Sequence, residues 1–106
     1  MGGRGGDGAG DITPADLPAL EFEWDPAKSA SNKTKHGVDF EEAQAIWRDP
    51  DRAVVQSSWS AELRFMTTGL LHGRMFTAIT TMRGDAIRII SVRRARRVEA
   101  ARHGKR

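Results

Sequence analysis

The fifteen residues from Arg83 to Arg97 restrict the fold of this chain more than any others. They open on a turn signal, Arg83-Gly84-Asp85. The run Ala86-Ile87-Arg88-Ile89-Ile90-Ser91-Val92 follows, rich in β-branched residues and bounded by punctuation, which is the pattern of a buried strand. It closes on Arg93-Arg94-Ala95-Arg96-Arg97, too basic to be core. A strand that must be buried therefore delivers four arginines to one edge of the fold. Ile87, Ile89 and Ile90 are expected to hold the sheet, and the arginines need another explanation.

Charge sharpens the point. Residues 83–106 carry nine basic and two acidic side chains, whereas the rest of the chain carries eight basic and twelve acidic ones. Such polarity suits an anionic partner, nucleic acid above all, although a solvated basic tail explains charge alone equally well. With 106 residues the chain has room for one domain. No cysteine is present, which removes disulfides, thiolate nucleophiles and cysteine-based zinc sites and fits a reducing cytoplasm. No apolar run is long enough to span a membrane, so no membrane role is expected. Residues 1–18 hold Gly, Asp, Pro and Ala with few large apolar side chains; they read as a disordered leader ahead of a single domain at 19–106.

Along that domain, Leu20–Trp24 alternates apolar and acidic residues and reads as a half-buried strand. Asp25-Pro26 caps and starts a helix ending at Gly37. Ala27, Ala30 and Thr34 form its expected packing face, with Lys28, Asn32, Lys35 and His36 on another. Asp39 and Glu42 form a capping box for a second helix, Val38 and Ala43 a staple across its start. Phe40, Ala43, Ile46 and Trp47 make its buried stripe. Period-two patterns then mark strands at Ala53–Ser57, Leu63–Thr68, Arg74–Met82 and Ala86–Val92, the last three an antiparallel meander. Arg94–His103 reads as a short helix with Ala95, Val98 and Ala101 on its packing stripe. The order β-α-α-β-β-β-β-α is that of an α+β domain with a mostly antiparallel, twisted sheet.

Several polar residues have plain structural explanations. Arg83-Gly84-Asp85 suits a hairpin turn. Lys35 and His36 complement the helix dipole at a C-terminus, or else give a phosphate contact and a proton carrier. Arg64 and Arg88 lie within strands; an edge position, a pair with Glu62 or Asp85, or a guanidinium aimed at phosphate would each explain them. His72 is a turn residue. No His, Asp and Glu spacing suggests a metal site, and no cofactor is expected.

Taken together, Glu21-Phe22-Glu23-Trp24-Asp25-Pro26, Lys28, Asn32, Lys35-His36-Gly37-Val38, Phe40-Glu41-Glu42-Ala43, Glu62 with Arg64-Phe65, Gly69, Arg83-Gly84 and Ile87-Arg88-Ile89-Ile90-Ser91-Val92-Arg93-Arg94-Ala95 resemble the BrnT family of ribonuclease toxins from bacterial type II toxin–antitoxin modules. The resemblance runs over residues 20–103. It implies a RelE-like fold, metal-free RNA cleavage that blocks growth, and a cytoplasmic location. It also implies neutralisation by a BrnA-type antitoxin bearing a ribbon-helix-helix domain. A heterotetramer of two toxins and two antitoxins, rather than the toxin alone, would then bind operator DNA. Such an enzyme uses the RNA 2′-hydroxyl as nucleophile. The catalytic candidates are Arg64, Arg83, Glu62, Lys35 and His36, with Glu62 either a base or an orienter of Arg64. Arg88, Arg93 and Arg94 are candidate RNA-phosphate binders. Arg96 and Arg97 are candidates for an acidic face of the antitoxin. Many members carry a tyrosine in the C-terminal helix; this chain has none, and His103 falls at about that place. A non-catalytic module that binds nucleic acid or antitoxin is the alternative.

Overall fold

Alternating apolar residues and tight turns build one five-stranded sheet in the order β1-β5-β4-β3-β2. The computed structural model describes residues 20–57 and 61–105; the leader expected at 1–18 lies outside them. The strands are β1 (Phe22–Glu23), β2 (Ala53–Ser57), β3 (Arg64–Leu71), β4 (Arg74–Arg83) and β5 (Ala86–Arg94). β2 to β5 pair antiparallel in chain order, and β1 lies parallel to β5. The helices are α1 (Pro26–His36), α2 (Phe40–Ala43) and α3 (Arg97–Ala100), with a 3₁₀ segment at Gln44–Arg48 continuing α2. This is an α+β, RelE-like arrangement, and the order of elements is the one the sequence pattern implies.

Local chemistry sets the helix ends. The Asp25 carboxylate accepts from the Ala27 amide, Pro26 takes the first helical position, and Gly37 closes α1 at φ 82°. Asp39 and Glu42 form the reciprocal capping box of α2. Phe40, Ala43 and Ile46 then turn inward onto Leu71, Phe76, Ala78, Ile89 and Val92, one apolar layer between helices and sheet. Gly69 is closely packed there: a Cβ would stand 3.1 Å from the Ile46 side chain and from its carbonyl oxygen, so α2's continuation would have to give by a few tenths of an ångström.

Three expectations need correction. The packing face of α1 is not Ala27, Ala30 and Thr34, which are exposed, but the side that carries Asn32. Asn32 is 6% exposed because its amide completes a strand. Its Nδ2 donates to the carbonyls of Val92 and Val38, and its Oδ1 accepts from the Val92 amide. β1 pairs with β5 only at Phe22↔Ile87 and Glu23↔Arg88, and Asn32 satisfies the edge of β5 beyond it. On α3, Val98 is 58% exposed, and Ala101 just after it is exposed, whereas Glu99 is buried, because Glu99 serves an ion pair rather than an apolar stripe. The opening strand is also less buried than its composition suggests. Ile89 and Val92 are enclosed, but Ile87 and Ile90 are half-buried: Ile87 shares the helix-covered face with Ile89 but lies opposite the exposed Met82 near the end of the sheet, and Ile90 has no partner on β4.

β5 contains an irregularity that governs everything polar. Ile79 pairs with Ser91 and Thr80 with Ile89, so Ile90 is an extra residue, a β-bulge. The bulge resets the alternation. Ile89 and Val92, three apart, both face the helices, while Arg88, Ser91 and Arg93 share the opposite face.

Candidate active site

Strand register places side chains on that second face in transverse rows. The first row runs Ser57, Arg64, Thr81, Arg88, Glu23 across all five strands. The second holds Val55, Met66, Ile79 and Ser91, all half-buried; the third holds Ala53, Thr68, Thr77 and Arg93. Arg83 continues the face at the end of β4, two residues beyond Thr81. Arg64, Arg83, Arg88 and Arg93 therefore project from one face of the sheet. Arg64 and Arg88 stand two strands apart, about 10 Å between backbones at the usual strand spacing. Two guanidinium groups at that separation suit a flexible polyanion.

Each arginine is held differently. Arg88 donates to Glu23 at 2.7 Å, its register partner on β1. This pair is neither of those the sequence suggested for Arg88. Arg64 reaches Glu62 only loosely, at 3.5 Å, and both are substantially exposed. The Arg64 Nε is enclosed and finds no acceptor among the described residues. Such a donor is uncommon and calls for an explanation, such as a bound ligand or water. Arg83 is exposed at the hairpin end.

Arg93 is clamped. Its two terminal nitrogens donate to the two carboxylate oxygens of Glu99 at 2.8 and 2.9 Å. Glu99 also accepts from the Thr77 hydroxyl and the Arg96 amide, and Thr77 in turn bonds Thr68. The guanidinium, ahead of those other donors, holds the Glu99 carboxyl well below its ordinary range, at about 2. Glu99 thus fixes one arginine and pins α3 to the third row.

Arg94, by contrast, points to the helix-covered face, with its guanidinium 5.7 Å from the Phe76 ring centroid. Neighbours in a strand face opposite ways, so Arg93 and Arg94 cannot form one patch. His103 lies at the other end of the sheet from Arg64. Its Nε2 is 2.7 Å from Asp49 Oδ2, an oxygen that also accepts the Leu70 amide on β3. Asp49 is held below its ordinary range: burial opposes the shift, and the His103 and backbone hydrogen bonds outweigh it. Arg96 and Arg97 are exposed beside α3.

Lys35 and His36 reach the same strand from its other side. A cavity of about 280 Å³ lies between α1 and β5, lined by Lys28, Lys35, His36, Ser31 and Ser91 among others. Ser91 belongs both to this cavity and to the second row, so the α1 cations and the arginine face meet across β5. Lys28 and Ser91 had no assigned role in the sequence reading; the stripe at positions 28, 31 and 35 is the signal for Lys28, whereas Ser91 is turned by a bulge that only strand pairing shows. Among the described residues, no three His, Asp or Glu side chains gather as a metal-ligand set. No described helix is long and apolar enough to cross a membrane.

Against known proteins, residues 24–99 match the family model for "Ribonuclease toxin, BrnT, of type II toxin-antitoxin system". No curated protein matches the chain.

Proposed function

The chain belongs to the BrnT family of ribonuclease toxins of type II toxin–antitoxin systems, and from that we propose that it is a metal-independent endoribonuclease whose RNA substrate lies across the arginine face of the sheet. The observation that carries this reading is the transverse row of Arg64, Thr81 and Arg88 with Arg83 beside it.

The RNA 2′-hydroxyl attacks its own phosphorus and the 5′-oxygen leaves, which concentrates negative charge on the non-bridging oxygens. Arg64 and Arg83 are the least restrained cations of the face and neutralise that charge. Arg88, oriented by Glu23, fixes the strand beside them. Electrostatic terms of this kind are usually the largest single contribution to such a barrier. Glu62, beside Arg64, takes the 2′-hydroxyl proton, and water protonates the departing 5′-oxygen. Arg93, saturated by Glu99, shapes the site rather than reacting. Lys35 and His36 lie across β5 from Arg64 and meet the strand at a different phosphate. Arg94 and His103 stand away from this row.

Family membership implies an antitoxin protein as partner. We assign that role to a BrnA-type ribbon-helix-helix protein in a two-plus-two heterotetramer, acting in the cytoplasm, with growth inhibition when the toxin is alone. Operator DNA is contacted through the complex.

Purified chain incubated with RNA in EDTA should cleave it, and Arg64→Ala should slow cleavage by about 100- to 1,000-fold, equivalent to roughly 2.7–4 kcal/mol. Intact RNA with the wild-type chain, or equal rates for the two, would sink the catalytic assignment.

A further inference from the structure

We propose that the cavity between α1 and β5 is a second phosphate subsite, which binds an RNA phosphate flanking the one at Arg64; this rests on the ribonuclease reading above.

The cavity has the chemistry of an anion site. Lys28, Lys35 and His36 line it together with the hydroxyls of Ser31 and Ser91, and no carboxylate does. None of the three basic side chains has an ion-pair or hydrogen-bond partner among the described residues. Lys33, on the same helix, shows the alternative: it is paired with Glu42 at 2.7 Å. The surface is therefore not simply a solvated cationic helix, because its cations divide into a neutralised one outside the cavity and unneutralised ones around it.

The helix dipole accounts for part of this set but not for all of it. Lys35 and His36 occupy the last turn, where cations are favoured. Lys28 occupies the first turn, where they are disfavoured; the Asp25 carboxylate at that end is engaged as the cap, accepting from the Ala27 amide, and the first turn itself holds no acidic residue. A lysine that the local electrostatics opposes gains its return from a ligand. An anion in the cavity answers all three cations at once.

Size and position narrow the ligand. About 280 Å³ lies at the lower limit for pockets that enclose whole small molecules, which suits a phosphate with part of its sugar. Ser91 connects the cavity to the arginine face. β5 and the bulged Ile90 stand between the two groups of cations, so they grip successive phosphates of one strand rather than a single group. A substrate then needs at least one phosphate beyond the scissile one to bind well.

The test uses the full chain and 2′-O-methyl oligoribonucleotides of increasing length, which lack the attacking hydroxyl and so report binding without turnover. Fluorescence anisotropy across a salt series gives affinity and salt slope. Lys28→Ala should weaken binding of strands long enough to reach the cavity by about 3- to 10-fold, and lower the salt slope by about 0.7, one single-strand phosphate contact. Lys28→Arg should restore both. Lys28 is exposed, and unchanged thermal unfolding of the variants checks that the fold is intact. Amide shifts of Ser31, His36 and Ser91 on adding the strand locate the contact independently. Unchanged affinity and slope in Lys28→Ala would overturn the subsite. So would a variant that binds RNA normally but loses antitoxin, which would give the cavity to an acidic side chain of that partner. If wild type binds with the expected slope yet cuts no RNA, the subsite stands and the nuclease reading falls. If it cuts RNA and Lys28→Ala matches it in both slope and KM, the reverse holds.

Discussion

Asn32 shows how much one side chain can carry. It lies on a helix, but its amide behaves as a short strand, with one acceptor and two donor contacts to the backbone of Val92 and Val38. Removing it strands an amide and two carbonyls in an enclosed site. Each buried unsatisfied group costs about 1–3 kcal/mol. We therefore expect Asn32→Ala to lose roughly 3 kcal/mol in urea unfolding, with Asn32→Asp no better, because a carboxylate cannot donate to the two carbonyls. A loss below about 1 kcal/mol would mean that water takes over the contacts. Glu99 plays the corresponding part for Arg93. In Glu99→Ala the guanidinium keeps only the Arg94 carbonyl as a partner, and breaking a pair so enclosed costs about 3–5 kcal/mol.

At the scale of elements, the Ile90 bulge decides which arginines meet. Strict alternation along β5 would place Arg88 with Ile90 and Val92, and Arg93 on the other side with Ile89. The extra residue brings Arg88, Ser91 and Arg93 to one face and keeps Ile89 and Val92 in the core. Deleting Ile90 should therefore leave Arg88, Ser91 and Arg93 on one face and Ile89 and Val92 on the other, because the remaining residues already pair with β4 in strict alternation. The expected result is a chain that still unfolds cooperatively, read by thermal melting; loss of the cooperative transition would show that the sheet needs the bulge itself and not only the phase of its neighbours. This is also where the sequence stops being legible. The strands, the turns and both N-terminal caps follow from neighbours a few residues apart, and Asp39 with Glu42 is visible as a four-residue pattern. The bulge has no local marker, since Ile89-Ile90 reads as continuous strand. Asn32 and Val92 are sixty residues apart, and a polar residue on a helix gives no sign that it will replace a strand. The candidate arginines were legible by type. Their division into Arg93 on one face and Arg94 on the other depends on a phase that only the paired sheet sets.

For the molecule as a whole, the same ion pairs that order the site tie its stability to pH. Glu99 is held at about 2 by Arg93, the Arg96 amide and Thr77. Glu42 is held at about 2 by Lys33, the Asp39 amide and His72. Asp49 is lowered as well, by His103 and backbone amides. All three carboxyls bind protons more weakly in the folded chain than in the unfolded one, whose glutamates titrate near 4.3. Their contribution to stability is thus fully present above the unfolded value and is lost as pH falls through the folded one. These three groups leave stability level from pH 7 down to about 5, and it should then drop steadily toward pH 2. Near pH 3 unfolding should take up about two protons through Glu42 and Glu99 together, and more if Asp49 follows them. Glu99→Gln removes one of those carboxyls, so its unfolding curve should lie below that of the wild type at pH 7, approach it in acid, and take up about one proton fewer at pH 3. Denaturant titrations of both chains at half-unit pH intervals measure this directly. Parallel curves would show that Glu99 titrates alike in the folded and unfolded chains, and that the Arg93 clamp contributes geometry to the arginine face without holding the fold.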